Sequence, residues 1–448
     1  MDKPYFESIA PRSFLSFGPK SEPVALENLN VLIGPNGSGK SNLIEAFELL
    51  RATAGNLASF IRQGGGPGEF IWKGRVQRKP RIPVAIVPPG RTHSSEIIWS
   101  AEELPARSAG METTVARIAQ EGPLQYRLEF TEASQRLEIV DEAIEETKPR
   151  KKGDPDVYYY YRFQRGRPTI SIRQLTPAND VEDKPESQHT SGASSFWDAA
   201  AEGFRRQLKR EDLDPQQSVL SQRCDPDLYP EITTTRLTFA RIVTFREWSF
   251  GRHVALRAPQ PADLPSDSLL PDLSNLGLVL NDLAHSDRWK DFKALLRRFF
   301  PRFSDLSIRV QAGHVQIYLH EAGLSSAIPA TRLSDGTLHF IALLVILMRP
   351  EVASLICIEE PDLGLHPDAV ALLAPILVEA SRVTQIVVTT HSDALVSALT
   401  GQPESVLVAD HHTDGTHFIR LEADKLRSWL KKYQLGEIWR MGELGGNP

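Results

Sequence analysis

An α/β fold is what this chain predicts, and three stretches predict it. Leu26 to Ile33 is a β-type apolar run that enters Gly34-Pro35-Asn36-Gly37-Ser38-Gly39-Lys40-Ser41-Asn42 and continues as an amphipathic helix expected to reach about Thr53. Leu355 to Ile358 is a second apolar run, ending in Glu359-Glu360-Pro361. Gln385 to Thr390 is a third, ending in His391-Ser392. Continuous short runs of this kind are buried parallel strands, and open α/β sheets bind ligands at the carboxyl ends of such strands.

The first stretch has a glycine-rich turn between strand and helix, spaced G-x-x-x-x-G-K-S. Gly34, Gly37 and Gly39 let successive backbone N–H groups turn inward around phosphates, with no Cβ in the way. Lys40 can reach the β and γ phosphates, and the Ser41 hydroxyl can sit on Mg²⁺. The positive end of the following helix faces the anion. A nucleoside triphosphate is therefore the expected ligand, held by residues 34 to 42.

In the second stretch, two adjacent acids at a strand end would be costly to bury without cations. A magnesium nucleotide supplies them, so Glu359 reads as the metal-side acid and Glu360 as the residue that orients the attacking water. His391, ending the third stretch, can exchange a hydrogen bond with a γ-phosphate or that water. Between the first and second stretches, Leu333-Ser334-Asp335-Gly336-Thr337 precedes the apolar helical run Leu338 to Leu347. Ser334 is an expected N-cap, and Ser334, Asp335 and Gly336 form a second candidate phosphate contact.

Taken in this order, the four elements resemble the ABC-type ATPases, and among them the RecF, SMC and OLD-like branch. The resemblance matches Gly34 to Ser41 to Walker A, Leu333 to Thr337 to the signature, Ile356 to Glu360 to Walker B and His391 to the switch histidine. It departs in two places: the signature is LSDGT where transporters carry LSGGQ, and Glu359 stands where Asp is more usual. The segment Asp362 to Pro367 takes the place of the D-loop, and Gln63, in a stretch that reads either as the Q-loop or as a glycine-rich surface turn, is assigned to the Q-loop. The resemblance implies an ABC-type P-loop ATPase head with ATP and Mg²⁺ as cofactors. It also implies a homodimer, open to higher assembly, in which the signature of one copy caps the nucleotide of the other.

The expected organisation is an N-terminal half-head over 1–90, an antiparallel β lobe over 91–177, a loop and helical insertion over 178–304 and a C-terminal half-head over 305–448. Strands are expected at 83–87, 124–132 and 136–144, and the polar stretch 178–195 as a mobile loop. Helical patches are expected at 196–210 and 276–300. Prolines punctuate the region, so no long coiled coil is expected. The chain after His391 is too short for the Toprim nuclease that OLD-family proteins append, so nuclease activity is expected from a separate polypeptide.

The net charge of −6 argues against a protein that coats nucleic acid over its whole surface. Three basic clusters read either as solvated faces or as nucleic-acid stripes: Lys73 to Arg81, Lys148 to Lys152, and Arg288 to Arg302. Tyr158 to Tyr161, followed by Arg162, Arg165 and Arg167, reads either as a base-stacking surface or as strand packing, and packing is the favoured reading. No run approaches the roughly eighteen apolar residues of a membrane span, and no secretory signal is expected. The cysteines are Cys224 and Cys357, which fits a reducing cytoplasm. The expected function is an ATPase that acts on or senses DNA and controls a partner effector, as in anti-phage defence. A RecF-like repair ATPase and, less favoured, a transporter subunit are the alternatives.

Overall fold

The computed structural model describes residues 5–74, 108–119, 122–150, 153–154, 156–164, 166–172, 204–248, 251–252, 254 and 256–445. Most of the first basic cluster, Lys151 and Lys152 of the second, the strand expected at 83–87 and the loop expected at 178–195 lie outside them.

Along the chain the strands are β1 (Phe6–Arg12), β2 (Val24–Ala25), β3 (Leu29–Ile33), β4 (Ser108–Ala119), β5 (Gly122–Ala133), β6 (Arg136–Glu146), β7 (Tyr159–Gln164), β8 (Arg167–Ile172), β9 (Phe204–Gln207), β10 (Ile242–Phe245), β11 (Gln260–Pro261), β12 (Phe303–Gln311), β13 (His314–Glu321), β14 (Ile328–Pro329), β15 (Leu355–Glu359), β16 (Gln385–Thr389), β17 (Val406–His412) and β18 (Gly415–Arg420). They make three sheets. A six-stranded sheet has the order β10-β15-β16-β3-β17-β18, parallel from β10 to β17 and closed by an antiparallel β18. An eight-stranded sheet, β2-β1-β4-β5-β6-β7-β8-β9, is antiparallel throughout. The third sheet is small and joins β11, β13, β12 and β14.

The apolar runs of the six-stranded sheet divide by period two. Val31, Ile33, Ile356, Ile358, Ile386 and Val388 point to one core, which also holds the helix Asp335–Met348. Leu32, Leu355, Cys357 and Val387 point to the other, shared with the helix Lys40–Thr53 and the eight-stranded sheet. A parallel sheet covered on both faces needs apolar residues at every position, which is why these runs do not alternate with polar ones. Residues 338–347 are all buried, so that helix is apolar on every side.

Two helical expectations are corrected. Within the patch expected at 196–210, Phe204–Gln207 is strand β9, drawn into extended form by pairing with β8; residues 196–203 lie outside the described residues. The patch at 276–300 is two helices, Leu276–Ala284 and Trp289–Phe299, separated by a turn at 285–288. The segment 178–304 also lends β9 to the eight-stranded sheet, β10 to the six-stranded sheet and β11 to the small one.

Inside the eight-stranded sheet sits a buried polar cluster. Glu142 accepts from the Tyr126 hydroxyl at 2.8 Å, from the Val219 N–H at 2.9 Å and from the Ser218 hydroxyl. Burial pushes its carboxyl up to about 7, against the pull of those three donors. Among the described residues, no helix is long and apolar enough to cross a membrane.

Candidate nucleotide site

β3 delivers the glycine loop to the carboxyl edge of the six-stranded sheet. Gly34, Gly37 and Gly39 all have positive φ, at 145°, 79° and 100°. The loop is also pressed against the β17–β18 hairpin, where a Cβ on Gly39 would come within 2.2 Å of the Thr416 hydroxyl. Thr416 in turn donates to the Ser38 carbonyl at 3.0 Å. Lys40, 6% exposed, folds over the rim of its own loop and donates to the Gly34 and Pro35 carbonyls at 2.8 and 2.9 Å. Burial lowers its pKa, while Glu360 and Glu359 pull it back up. The Ser38 hydroxyl is buried with no hydrogen-bond partner among the described residues, Asn36 lies exposed at the tip, and Asn42 is half-buried in the first helical turn.

Two strands away in the sheet, β15 ends in the carboxylates, and the Ser41 hydroxyl donates to Glu359 across 318 residues of chain. This contact is the joining of the two halves of the site. Glu360 has φ +49°, an uncommon conformation for a residue with a side chain. Its N–H donates to the Thr389 carbonyl at 3.0 Å, which ties the turn to β16. His391, just past the end of β16, brings Nε2 to 3.9 Å from Glu360 Oε1. Its pKa is lowered by burial and by Lys40, with Glu360 and Asp362 opposing. Thr390 donates to Asp362, whose carboxyl is raised by burial.

Ser334 caps its helix, its hydroxyl accepting from the Thr337 N–H at 3.1 Å. Ser334 is exposed and Gly336 half-exposed, and Gly336 lies so near the Gly364 carbonyl that a Cβ there would be 3.1 Å away. Among the described residues, no hydrogen bond or ion pair joins Ser334, Asp335 or Gly336 to the loop 34–41. Gln63 is exposed at the end of the helix Leu57–Gln63, donates to the Ser59 hydroxyl at 3.3 Å, and likewise makes no described bond to the loop or to β15.

Two arginines were missed in the sequence. Arg246 follows β10 and donates through Nε to Glu359 Oε2 at 2.9 Å. The buried Arg257 donates to the Leu333 carbonyl at 2.6 Å and to the Asp335 carboxylate, holding the signature turn. The available signal was Arg241-Ile242-Val243-Thr244-Phe245-Arg246, a fourth apolar run ending in a charge.

The residues present suit a magnesium nucleotide. Ser41 and Glu359 offer hard oxygen donors in contact with one another, next to a loop of inward-turned backbone and a buried ammonium. Among the described residues, no cluster of three or more His, Cys, Asp or Glu could hold a metal by itself. Such a divalent ion is expected to need phosphate oxygens to complete its shell.

The fold is that of a P-loop ATPase head of the ABC type, like the heads of Smc proteins. A family model matches residues 29–102 and 146–397, so the chain belongs to the family described as "AAA domain, putative AbiEii toxin, Type IV TA system". No curated protein matches the chain. Among solved structures, it is similar to the Smc head bound to the C-winged helix domain of ScpA, with TM-score 0.53 and 15% identity over 95% of this chain and 100% of that one. It is also similar to the Smc head domain with an extended coiled coil bound to the C-terminal domain of ScpA, from Pyrococcus furiosus. There the TM-score is 0.51 and the identity 13%, over 96% of this chain and 99% of that one. At such identities the shared property is the fold.

Proposed function

We propose that this protein is an ATP-hydrolysing, dimerising ATPase that acts on or senses DNA and controls a separately encoded effector or nuclease, as in anti-phage defence. The observation that carries the catalytic part is the Ser41–Glu359 contact beside Lys40, with Glu360 and His391 at 3.9 Å next to it. The backbone of residues 34 to 41 cradles the phosphates, and Lys40 exchanges the Gly34 and Pro35 carbonyls for β and γ oxygens. Ser41 and Glu359 would hold a magnesium ion, which would supply neutralisation of the phosphate charge. Glu360 orients the attacking water and takes its proton, and His391 steadies that water or the γ-phosphate by one hydrogen bond.

Dimerisation is supported by the signature turn. An N-capped helix end that is exposed and makes no described bond to its own phosphate loop is suited to capping a nucleotide held by a second copy, with Ser334 and Gly336 facing its γ-phosphate. The defence setting is supported by the toxin–antitoxin description of the family. An effector partner is supported by the two Smc heads, each bound to a domain of ScpA. DNA is supported by the RecF and SMC resemblance; in the second basic cluster Arg150 is already paired with Glu146 at 2.6 Å and stacked over the Tyr158 ring. The third basic cluster adds little, because Arg288 donates to the Met348 carbonyl, while Lys293 and Arg302 pair with Asp305 and Glu321 at 3.3 and 3.1 Å.

Glu360→Gln is the direct test. Turnover should fall by ~10²–10³, and with ATP and Mg²⁺ the variant should elute from gel filtration as a dimer. A variant that stays monomeric under those conditions removes the shared-site reading. DNA-stimulated turnover and co-purification with a neighbouring effector test the remainder.

A further inference from the structure

Arg246 leaves the carboxyl edge of β10, the strand beside β15, and reaches three acids at once. Besides Glu359, its Nη1 donates to Glu45 and, at 2.6 Å, to Glu48, both on the helix that carries Lys40 and Ser41. Glu48 is itself held by the Thr244 hydroxyl at 2.7 Å. Burial disfavours the Arg246 charge, but the three carboxylates outweigh it and hold its pKa above the ordinary range. Both oxygens of Glu359 are thus claimed, Oε1 by Ser41 and Oε2 by Arg246. Two residues on, Trp248 donates to the Glu359 backbone carbonyl at 2.6 Å, so main chain and side chain of the acid are gripped by one short segment.

We propose that Arg246 is a positioning residue. Its guanidinium, anchored by Glu45 and Glu48, sets the side-chain angle at which Glu359 meets Ser41, so that the two oxygens stand ready for a divalent cation before nucleotide arrives. A planar fork reaches acids in two directions, which the single ammonium of lysine does not. Partners that orient a ligating carboxylate govern metal affinity nearly as strongly as the ligand itself. The inference rests on the ATPase reading and adds to it the residue that prepares the metal side.

The test compares the full-length protein with Arg246→Ala and Arg246→Lys, measuring the affinity for a fluorescent nonhydrolysable ATP analogue with and without Mg²⁺, alongside thermal melting. The quantity read is the gain in affinity that Mg²⁺ brings. Positioning requires that gain to shrink by about 10-fold or more in both variants. A role as a mere positive charge predicts the opposite: Ala enlarges the gain, because a cation repelling Mg²⁺ is gone, and Lys keeps it at the wild-type value. Either result overturns the proposal, as does an unchanged gain accompanied only by a lower melting temperature. If the wild-type protein shows no gain from Mg²⁺, this proposal and the ATPase reading fall together; a normal wild-type gain with unaltered variants removes this proposal alone.

Discussion

The six-stranded and eight-stranded sheets lean on the same helix, Lys40–Thr53, yet they treat charge in opposite ways. In the first, Lys40, Glu359, Glu360 and His391 gather at the carboxyl edge of the strands: among the described residues Lys40 is bound to carbonyls of its own loop, and the half-exposed Glu360 and His391 stand 3.9 Å apart. In the second, Glu142 is 2% exposed and has three fixed donors. Parallel strands all end on one edge, so their terminal side chains converge and stay accessible. Antiparallel strands place successive ends on opposite edges, and the polar group here is enclosed mid-sheet. The comparison teaches that a displaced pKa marks a functional group only where the geometry leaves room for a ligand.

Lys40→Ala should break that contrast most sharply. Nucleotide-dependent phosphate release is expected to fall by ~10²–10³, with melting temperature little changed, because the ammonium is bound to loop carbonyls that water can serve in its place. A large loss of stability would show that Lys40 is structural, like Glu142.

Glu142 should respond in the reverse sense, in stability and not in turnover. Its folded pKa of about 7 lies above the unfolded carboxylate value, so the folded state holds the extra proton between them. Stability is then greatest below the unfolded value and declines as pH rises to about 7, by an amount on the order of 3 kcal/mol. Denaturant unfolding between pH 4.5 and 8 measures this slope. Glu142→Gln should flatten it while leaving nucleotide affinity alone; a slope that survives the substitution belongs to another group.

The smallest expected effect is at His391. Its pKa lies below the ordinary histidine value, so activity should be on its plateau at pH 7 and drop only on the acid side, where the ring gains a proton. His391→Asn, which cannot titrate, should remove the acid limb that belongs to the histidine at a cost of about tenfold in the plateau rate. An unchanged acid limb would assign it to a different residue.

Much of the parallel sheet was legible because its signals are local. Gly34 to Ser41 states a turn geometry, the helix Lys40–Thr53 ends where its pattern ends, and Ser334 caps the helix it was expected to cap. The edge elements were not legible. β10 is four residues long and sits in a segment that reads as helical, and β9 is extended only because β8 offers it an unpaired edge. Missing β10 hid Arg246, since nothing in its neighbours announces acids that lie 113 and 198 residues away. Gln63 was a choice by composition of a glycine-rich turn, and it lies exposed on a surface helix.

By itself the sequence determined which residues are the candidates for phosphate and metal, because a glycine-lysine-serine turn, a strand ending in paired acids and an N-capped helix each carry their chemistry within a few residues. Tertiary structure alone decided how those pieces meet: that Ser41 touches Glu359, that Glu360 adopts a positive φ next to His391, and that Arg246 and Arg257 clasp the two acidic turns. Contacts over such separations depend on strand order and packing, and these are properties of the whole folded chain that no short stretch of residues encodes.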